Sequence, residues 1–277
     1  MRPMSPVSRR RLLLGGLSVA ALVSCSPTPG PEDPADPNPP VPPTEARIEA
    51  LERRYNVVVG LSAVDVPSGR WLAHRAKERF AMCSTFKAYA AAAVLQRAER
   101  GELALTDAVT IESADIISHS PVTETRVGAT MTLAELCEAA LQVSDNAAAN
   151  LLLRVLGGPP AITEFARGIG DEESRLDRFI GSALEAAGAR QLEEWMLATE
   201  TSSMRAGLPA GWTSADKSGS GSYGTTNDVG IAYAPDGQRL LLSIMTKSAV
   251  EDSDAPNQRP LIGELAALAV ADLYQSQ

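Results

Sequence analysis

The chain has 277 residues, of which 44% are hydrophobic, enough to bury one large core or two intertwined ones. Its formal net charge of −9 argues against a nucleic-acid-binding protein, which needs a basic face. The two histidines and three cysteines fall at no metal-ligand spacing, so we expect neither a metal site nor a histidine-dependent serine triad. Serine chemistry in this chain would have to use lysine, and we expect no cofactor.

The first 25 residues are predicted to be a targeting segment, in which consecutive arginines precede an apolar run from Leu12 to Val23. This run is too short to span a membrane as a stable helix. Cys25 ends it in a sequence that resembles a bacterial lipobox, with ordinary cleavage near Ser24 as the alternative. Residues 26–43 are rich in proline and are predicted to form an extended tether. We expect an exported protein, at the cell surface or in the periplasm, whose only membrane contact is a lipid anchor at Cys25.

Apolar patterns predict the remaining elements. They are a helix at Thr44–Arg54, strands at Asn56–Val64 and Arg70–Arg75, helices at Lys87–Arg100, Thr132–Leu141, Ala147–Leu156, Ala161–Gly168 and Ala187–Glu200, strands at 211–221, Val229–Ala234 and Arg239–Met245, and a helix at Pro260–Tyr274. Thr44 and Thr132 are expected helix caps, the second with Glu135 three residues on. Residues 104–119 are mixed in pattern and loop-like, and His74 is expected at the surface.

Strands at both ends of residues 44–277 thus flank a helical middle. The predicted fold class is α/β, in the α+β sense: an antiparallel five-stranded sheet from both chain ends, covered by helices, with an inserted all-helical lobe. We expect residues 44–80 and 201–277 to form the α/β lobe and residues 81–200 the helical lobe.

The stretch Met82–Lys87 stands at the head of a predicted Ala-rich helix. On a helix, Ser84 and Lys87 share one face because they are three residues apart. A serine hydroxyl becomes a good nucleophile when a base takes its proton, and a partly desolvated lysine beside other cations can be that base. Ser84 alone could equally be a helix N-cap, so the catalytic interpretation depends on further motifs.

Two such motifs follow, Ser-Asp-Asn at Ser144–Asn146 and Lys-Ser-Gly at Lys217–Gly219. The three motifs in this order resemble those of serine β-lactamases and penicillin-binding proteins. Additional stretches resemble class A β-lactamases, and they lie at residues 120–124, 174–178 and 205–212. The resemblance covers the whole domain and implies a β-lactamase/transpeptidase-like fold, which agrees with the predicted elements.

The resemblance implies four catalytic residues: Ser84, Lys87, Ser144 and Lys217. Ser84 would attack the lactam carbonyl to form an acyl-enzyme, and Lys87 would accept its proton or hold it through water. Ser144 would relay a proton to the departing lactam nitrogen while Lys217 keeps its hydroxyl polarised. The backbone N–H groups of Ser84 and Ser220 would form the oxyanion hole.

The resemblance also implies a set of substrate-binding residues: Asn146, Ser218, Gly219, Ser220 and His119. Asn146 would bind the amide of the antibiotic side chain, whereas Ser218 and Ser220, with Lys217, would receive the substrate carboxylate. His119 stands where the family often has an aromatic gate at the cleft mouth, although a surface loop histidine is an equal alternative. A G-x-G-x-x-G pattern at residues 219–224 precedes strand-like sequence, which argues against a dinucleotide site.

The chain departs from the family where a glutamate should activate the hydrolytic water. Ile180 occupies the expected glutamate position and Leu184 the position of an accompanying asparagine. The resemblance therefore implies that a piece the size of a loop and a helix is absent at Phe179–Ile180. We therefore expect acylation to survive and deacylation to be impaired, since general-base help is typically worth a factor of about 10²–10⁴. Glu185 is a weaker candidate for a substitute base.

Two smaller departures concern charge and sulfur. Arginines that many members place near the substrate carboxylate are replaced by Ser203 and Thr226, so carboxylate binding would depend on Lys217 and hydroxyls. Some members pair a cysteine beside the nucleophile with a second cysteine on the facing strand, and this second cysteine is absent here. Cys83 and Cys137 are therefore expected to be free, buried small hydrophobes.

These observations predict a serine β-lactamase that acts on penicillins and cephalosporins through a Ser84 acyl-enzyme with impaired deacylation. Two alternatives stay open, a penicillin-binding or acyl-trapping protein and a catalytically dead surface lipoprotein with the same fold. We expect a monomer whose partner is a small-molecule β-lactam.

Overall fold

The computed structural model describes residues 42–172 and 186–274. The predicted targeting segment, most of the tether and the departure at Phe179–Ile180 lie outside these residues, as does Glu185. In the part that is described, no helix is both long and apolar enough to cross a membrane.

The described residues form seven helices and seven strands. The helices are α1 (Thr44–Tyr55), α2 (Phe86–Glu99), α3 (Leu133–Gln142), α4 (Asn146–Leu156), α5 (Pro159–Gly168), α6 (Ala186–Leu197) and α7 (Arg259–Leu273). The strands are β1 (Val57–Asp65), β2 (Trp71–His74), β3 (Ala108–Thr110), β4 (Thr130–Thr132), β5 (Thr213–Ser220), β6 (Thr226–Tyr233) and β7 (Arg239–Ser248). The predicted elements are present, with ends shifted by a few residues.

Five strands form one antiparallel sheet in the order β2-β1-β7-β6-β5, which confirms the predicted sheet from both chain ends. Alternate residues of β1 are buried in a core that they share with α1 and α7: Val57, Val59, Leu61 and Ala63. This alternation fixes the register, because a slip by one residue would turn the apolar side chains to the other face.

The helix α2 is the centre of a second core, and it is buried continuously from Lys87 to Leu95. It packs there with apolar side chains of α3, α4, α5 and α6. A helix that is apolar on all sides belongs in the interior. Lys87 is therefore placed in a desolvated position by the helix that carries it, with only 1% of its surface exposed.

Three local expectations need correction. Residues 104–119 are not entirely loop, because β3 pairs there with β4 in a small second sheet. His74 is buried rather than exposed, since its side chain faces α1, with Nε2 3.5 Å from Oε1 of Glu52. Thr44 does not cap α1, because it lies inside the helix and its hydroxyl donates to Asp272 of α7 instead.

The predicted cap of α3 is confirmed as a reciprocal pair. The Oγ1 of Thr132 accepts from the backbone N of Glu135 at 3.2 Å, and the Glu135 carboxylate accepts from the backbone N of Thr132 at 2.7 Å. Both cysteines in the described residues are free, as predicted, but only Cys137 is buried, while Cys83 is partly exposed.

Candidate active site

Ser84 lies in a short 3₁₀ turn that leads directly into α2. The turn begins at Cys83 with φ 48°, in the left-handed region that residues with a side chain rarely adopt. Asn227 of β6 holds the backbone before it, because its Nδ2 donates to the carbonyl oxygens of Ala81 (2.8 Å) and Met82 (3.2 Å). A strained backbone held in place by its surroundings is typical of a functional site.

The end of β5 runs directly beside this turn. A Cβ at Gly219 would lie 2.9 Å from the carbonyl O of Met82 and 3.1 Å from the amide N of Ser84. A Cβ at Gly221 would lie 2.9 Å from Sγ of Cys83. Glycine is thus what allows the strand to approach so closely, and the Lys-Ser-Gly motif is brought against the predicted nucleophile.

The side chain of Lys87 joins the first motif to the second. Its Nζ donates to the carbonyl O of Ser144 at 2.7 Å, to Oγ of Ser144 at 3.1 Å and to Oδ1 of Asn146 at 2.7 Å. Three acceptors match the three hydrogens of an ammonium group. Lys87 therefore holds the Ser144 hydroxyl and the Asn146 amide together one helical turn from Ser84.

Asp145 fixes the loop that carries these partners. It is fully buried, and its carboxylate accepts from the backbone N of Val122 and of Thr123, both at 2.9 Å. It also accepts from the backbone N of Ala148 at 2.9 Å, which caps α4. The neighbouring Ser144 has φ 59°, so this buried anchor holds it in a strained conformation that faces Lys87.

Lys217 supplies the second buried cation, and its Nζ donates to the carbonyl O of Ser218 at 2.8 Å. Burial lowers the pKa of Lys217 to about 8, against the negative charges of Asp228 and Asp216, which raise it, and together with the positive charge of Arg259, which lowers it. Burial also raises the pKa of both of these carboxyl groups. Lys217 thus stays mostly protonated at neutral pH.

The amine of Lys87 is easier to deprotonate. Burial, and after it the positive charge of Lys217, lower the pKa of Lys87 to about 7, while Asp145 acts in the opposite direction. A sizeable fraction of Lys87 is therefore a free amine near neutral pH, which is the state that a general base needs.

These two pKa values predict a bell-shaped pH profile for acylation of Ser84. The rate should rise with pH through about 7, as Lys87 loses its proton, and fall through about 8, as Lys217 loses its charge. Second-order acylation rate constants measured across this range would check the profile. A rate that falls as pH rises through about 7, or that does not change with pH, would contradict the assignment of the two lysines.

The predicted substrate-binding residues lie around these groups. Ser218 Oγ donates to Oγ1 of Thr201 at 2.7 Å, and Ser220 ends β5 in an exposed position. Asn146 donates its Nδ2 to the carbonyl O of Ser118 at 2.8 Å. His119 is exposed beside this loop, and its carbonyl O accepts from the backbone N of Asn146 at 2.9 Å.

Sequence reasoning gave no role to several residues that shape this site. Asp145 anchors one side and Asn227 anchors the nucleophile turn. Asp216 and Asp228 lie next to Lys217 in the sheet but on its opposite face, and their negative charges raise the pKa of Lys217. A signal was present for Asp216, which lies inside the strand predicted at residues 211–221. The β5–β6 register decides which acidic residues lie next to Lys217, and composition does not specify that register.

Comparison with known proteins agrees with this geometry. The beta-lactamase enzyme family matches in two overlapping stretches, residues 43–191 and 179–274. A beta-lactamase of Streptomyces cellulosae is 37% identical, with 96% of this chain and 97% of the relative covered. That alignment spans 302 positions, more than the 277 residues of this chain, so the relative has positions without a counterpart here. Beta-lactamase CTX-M-8 of Citrobacter amalonaticus is 39% identical, with 83% of this chain and 89% of the relative covered.

Solved structures give the same result. An ancestral class A β-lactamase superposes with a TM-score of 0.77 at 39% identity, covering 83% of this chain and all of that chain. The last common ancestor of Gram-negative bacterial class A β-lactamases gives 0.77 at 40% identity, with 83% and 98% covered. The conserved fold and the matched length leave one family assignment: this chain belongs to the class A serine β-lactamases.

Proposed function

We propose that Ser84 is the nucleophile that opens the β-lactam ring and that Lys87 is its general base. The observation that carries this proposal is the position of Lys87, whose amine lies one helical turn from Ser84 and bonds to both Ser144 and Asn146. The Oγ of Ser84 forms a bond to the lactam carbonyl carbon, and its proton passes to the free amine of Lys87. The ring C–N bond then breaks and leaves an ester on Ser84.

The broken C–N bond needs a proton on the departing nitrogen. Ser144 is the relay, because its hydroxyl accepts a hydrogen bond from Lys87 at 3.1 Å and can pass on the proton that Lys87 took from Ser84. The charge of Lys217 favours the neutral form of Lys87 and attracts the substrate carboxylate. The oxyanion would be held by the backbone N–H groups of Ser84 and Ser220, which lie on the turn and on β5.

The second half of the reaction, hydrolysis of the ester, is proposed to be slow. The positions expected to carry the water-activating glutamate and its asparagine hold Ile180 and Leu184. The relatives' additional alignment positions are consistent with a missing segment. Without a carboxylate base, we expect deacylation to lose a factor of about 10²–10⁴.

A stopped-flow experiment with a chromogenic cephalosporin tests this directly. We expect a burst of ring opening close to one equivalent of protein, followed by slow steady turnover, because the ester accumulates. The Ser84→Ala variant is the matched control and should show no burst. A constant rate of hydrolysis from the first turnover, as fast as acylation and with no burst phase, would contradict impaired deacylation.

The same experiment separates the alternative functions. An ester that never decays on the time scale of hours would indicate a penicillin-binding or acyl-trapping role. The absence of any ester on wild-type protein would indicate a catalytically dead fold. We expect neither, because both lysines and both serines of the acylation machinery are present.

We also infer that the protein is exported. The predicted targeting segment, with Cys25 at the end of its apolar run, supports this inference. A lipid on Cys25 and the tether at residues 26–43 would hold a monomeric domain at the cell surface. Residues 44–80 and 201–277 would form its α/β lobe and residues 81–200 its helical lobe. The separate cores around α7 and α2 support this division.

A further inference from the structure

Three hydroxyl groups connect β5 to the end of α3. Ser218 Oγ lies 2.7 Å from Oγ1 of Thr201, and Oγ1 of Thr201 lies 3.2 Å from Oγ1 of Thr199. Beyond them, Oγ1 of Thr199 lies 3.3 Å from the carbonyl O of Leu141 and 3.4 Å from that of Gln142. One end of this hydroxyl chain is thus a residue expected to bind substrate, and the other is the backbone at the end of α3.

The direction of the hydrogen bonds in the hydroxyl chain follows from counting protons. A hydroxyl has one proton to donate, and a carbonyl oxygen can only accept. Thr199 therefore donates to the carbonyl oxygens at the end of α3. The contact between Thr199 and Thr201 must then use the proton of Thr201. Because the proton of Thr201 is committed there, only Ser218 can donate in the contact at 2.7 Å.

The orientation of the Ser218 hydroxyl bears on the substrate. Ser218 lies between Lys217 and Gly219, in the motif whose glycine packs against the nucleophile turn. Its oxygen offers only lone pairs to a ligand, because its single proton points at Thr201. A carboxylate can only accept hydrogen bonds, so it needs that proton. Ser218 and Thr199 are both buried, where a hydrogen bond is stronger than in water. The carboxylate of a β-lactam must therefore break the bond to Thr201 before Ser218 can donate to it.

We propose that Thr201 is a positioning residue that holds the Ser218 proton away from the β-lactam carboxylate, an inference that rests on the proposed function. Thr201 acts through Ser218, because its hydroxyl and the carboxylate compete for the same proton. The hydroxyl chain keeps Thr201 an acceptor, since Thr199 receives the proton of Thr201 and donates its own to backbone carbonyls fixed at the end of a helix. Ser218 thus contributes less to carboxylate recognition than a free serine hydroxyl would.

The test compares acylation by benzylpenicillin with acylation by its methyl ester, which has lost the negative charge. Thr201→Val keeps the shape of the side chain and removes the hydroxyl. In this variant the second-order acylation rate constant for the free acid should rise about 3- to 10-fold, the value of one hydrogen bond. The rate constant for the ester should change less than about twofold, because an ester oxygen is a weaker acceptor than a carboxylate. Thr213→Val, the same change at the exposed far end of β5, is the matched control.

Two further variants separate this role from a merely structural one. Thr201→Ser keeps the hydroxyl and should acylate with both compounds as the wild type does. In a Ser218→Ala background, Thr201→Val should leave the rate constant for the acid unchanged, because the contested proton is gone. Equal gains for the acid and the ester, no gain for the acid, or a gain that persists without the Ser218 hydroxyl would overturn the role of Thr201 while leaving Ser84 acylation intact.

A second arm uses proteins that cannot be acylated, Ser84→Ala with and without Thr201→Val, and measures benzylpenicillin binding by calorimetry. Tighter binding in the double variant supports the inference even if wild-type protein forms no ester. Equal binding, or none in either protein, overturns it. Thermal melts would confirm that each variant is folded.

Discussion

Replacement of Lys87 by Met should reduce the acylation rate constant by about 10²–10⁴-fold, the range of general-base catalysis. Methionine keeps much of the side-chain volume but removes the amine that contacts Ser144 and Asn146. Because it also removes a buried charge, the fold should survive the change. Burst kinetics with a chromogenic cephalosporin would measure the loss, and a thermal melt would confirm that the variant is folded.

Lys77→Met is the matched control, because Lys77 is an exposed lysine between β2 and the nucleophile turn. It should acylate at the wild-type rate. If folded Lys87→Met were also acylated at that rate, Lys87 would not be the base, and the role drawn from its three hydrogen bonds would be wrong.

Replacement of Asp145 by Ala should destabilise the protein by about 3–5 kcal/mol. The carboxylate is fully buried and accepts from the backbone N of Val122, Thr123 and Ala148, so its loss leaves buried donors unpaired at about 1–3 kcal/mol each. Urea unfolding, followed by the shift of the midpoint at constant slope, would measure the change.

The matched control for this loss is Asp252→Ala. Asp252 is an exposed aspartate that accepts one backbone hydrogen bond, from Asp254. Its replacement should stay within about 0.5 kcal/mol, as is usual for surface substitutions. Similar midpoints for the two variants would show that Asp145 does not anchor the Ser144 loop.

Much of this architecture could be predicted from the sequence because its signals are local. The alternation in β1 and the Thr132–Glu135 cap each depend on a few neighbouring residues, and the structure confirms both. The three short motifs also indicated the right family, since their order and spacing are retained.

What the sequence did not show depends on contacts between distant segments. His74 was expected at the surface, but the packing of α1 brings Glu52 against it. The approach of Gly219 to Ser84 and the hydrogen bonds from Asn227 to Ala81 and Met82 depend on how β5 and β6 pack against the nucleophile turn. Neither can be read from spacing along the chain.

The two halves of the reaction depend on different residues. The amine of Lys87 contacts Ser144 and Asn146, and Lys87 follows the proposed nucleophile Ser84 by three residues. The water-activating glutamate, which is proposed to be lost, would act only in hydrolysis of the ester. A β-lactam should therefore label the protein quickly and be released from it slowly. For this reason, identifying the labelled residue is informative.

The most direct test of the central claim is to locate the label. Wild-type protein would be incubated with benzylpenicillin, quenched with acid and digested, and the modified peptide would be fragmented in the mass spectrometer. We expect one penicilloyl group, on the side chain of Ser84 and not on the adjacent Cys83. A label on Cys83 or Ser144, or no label on folded protein, would contradict it.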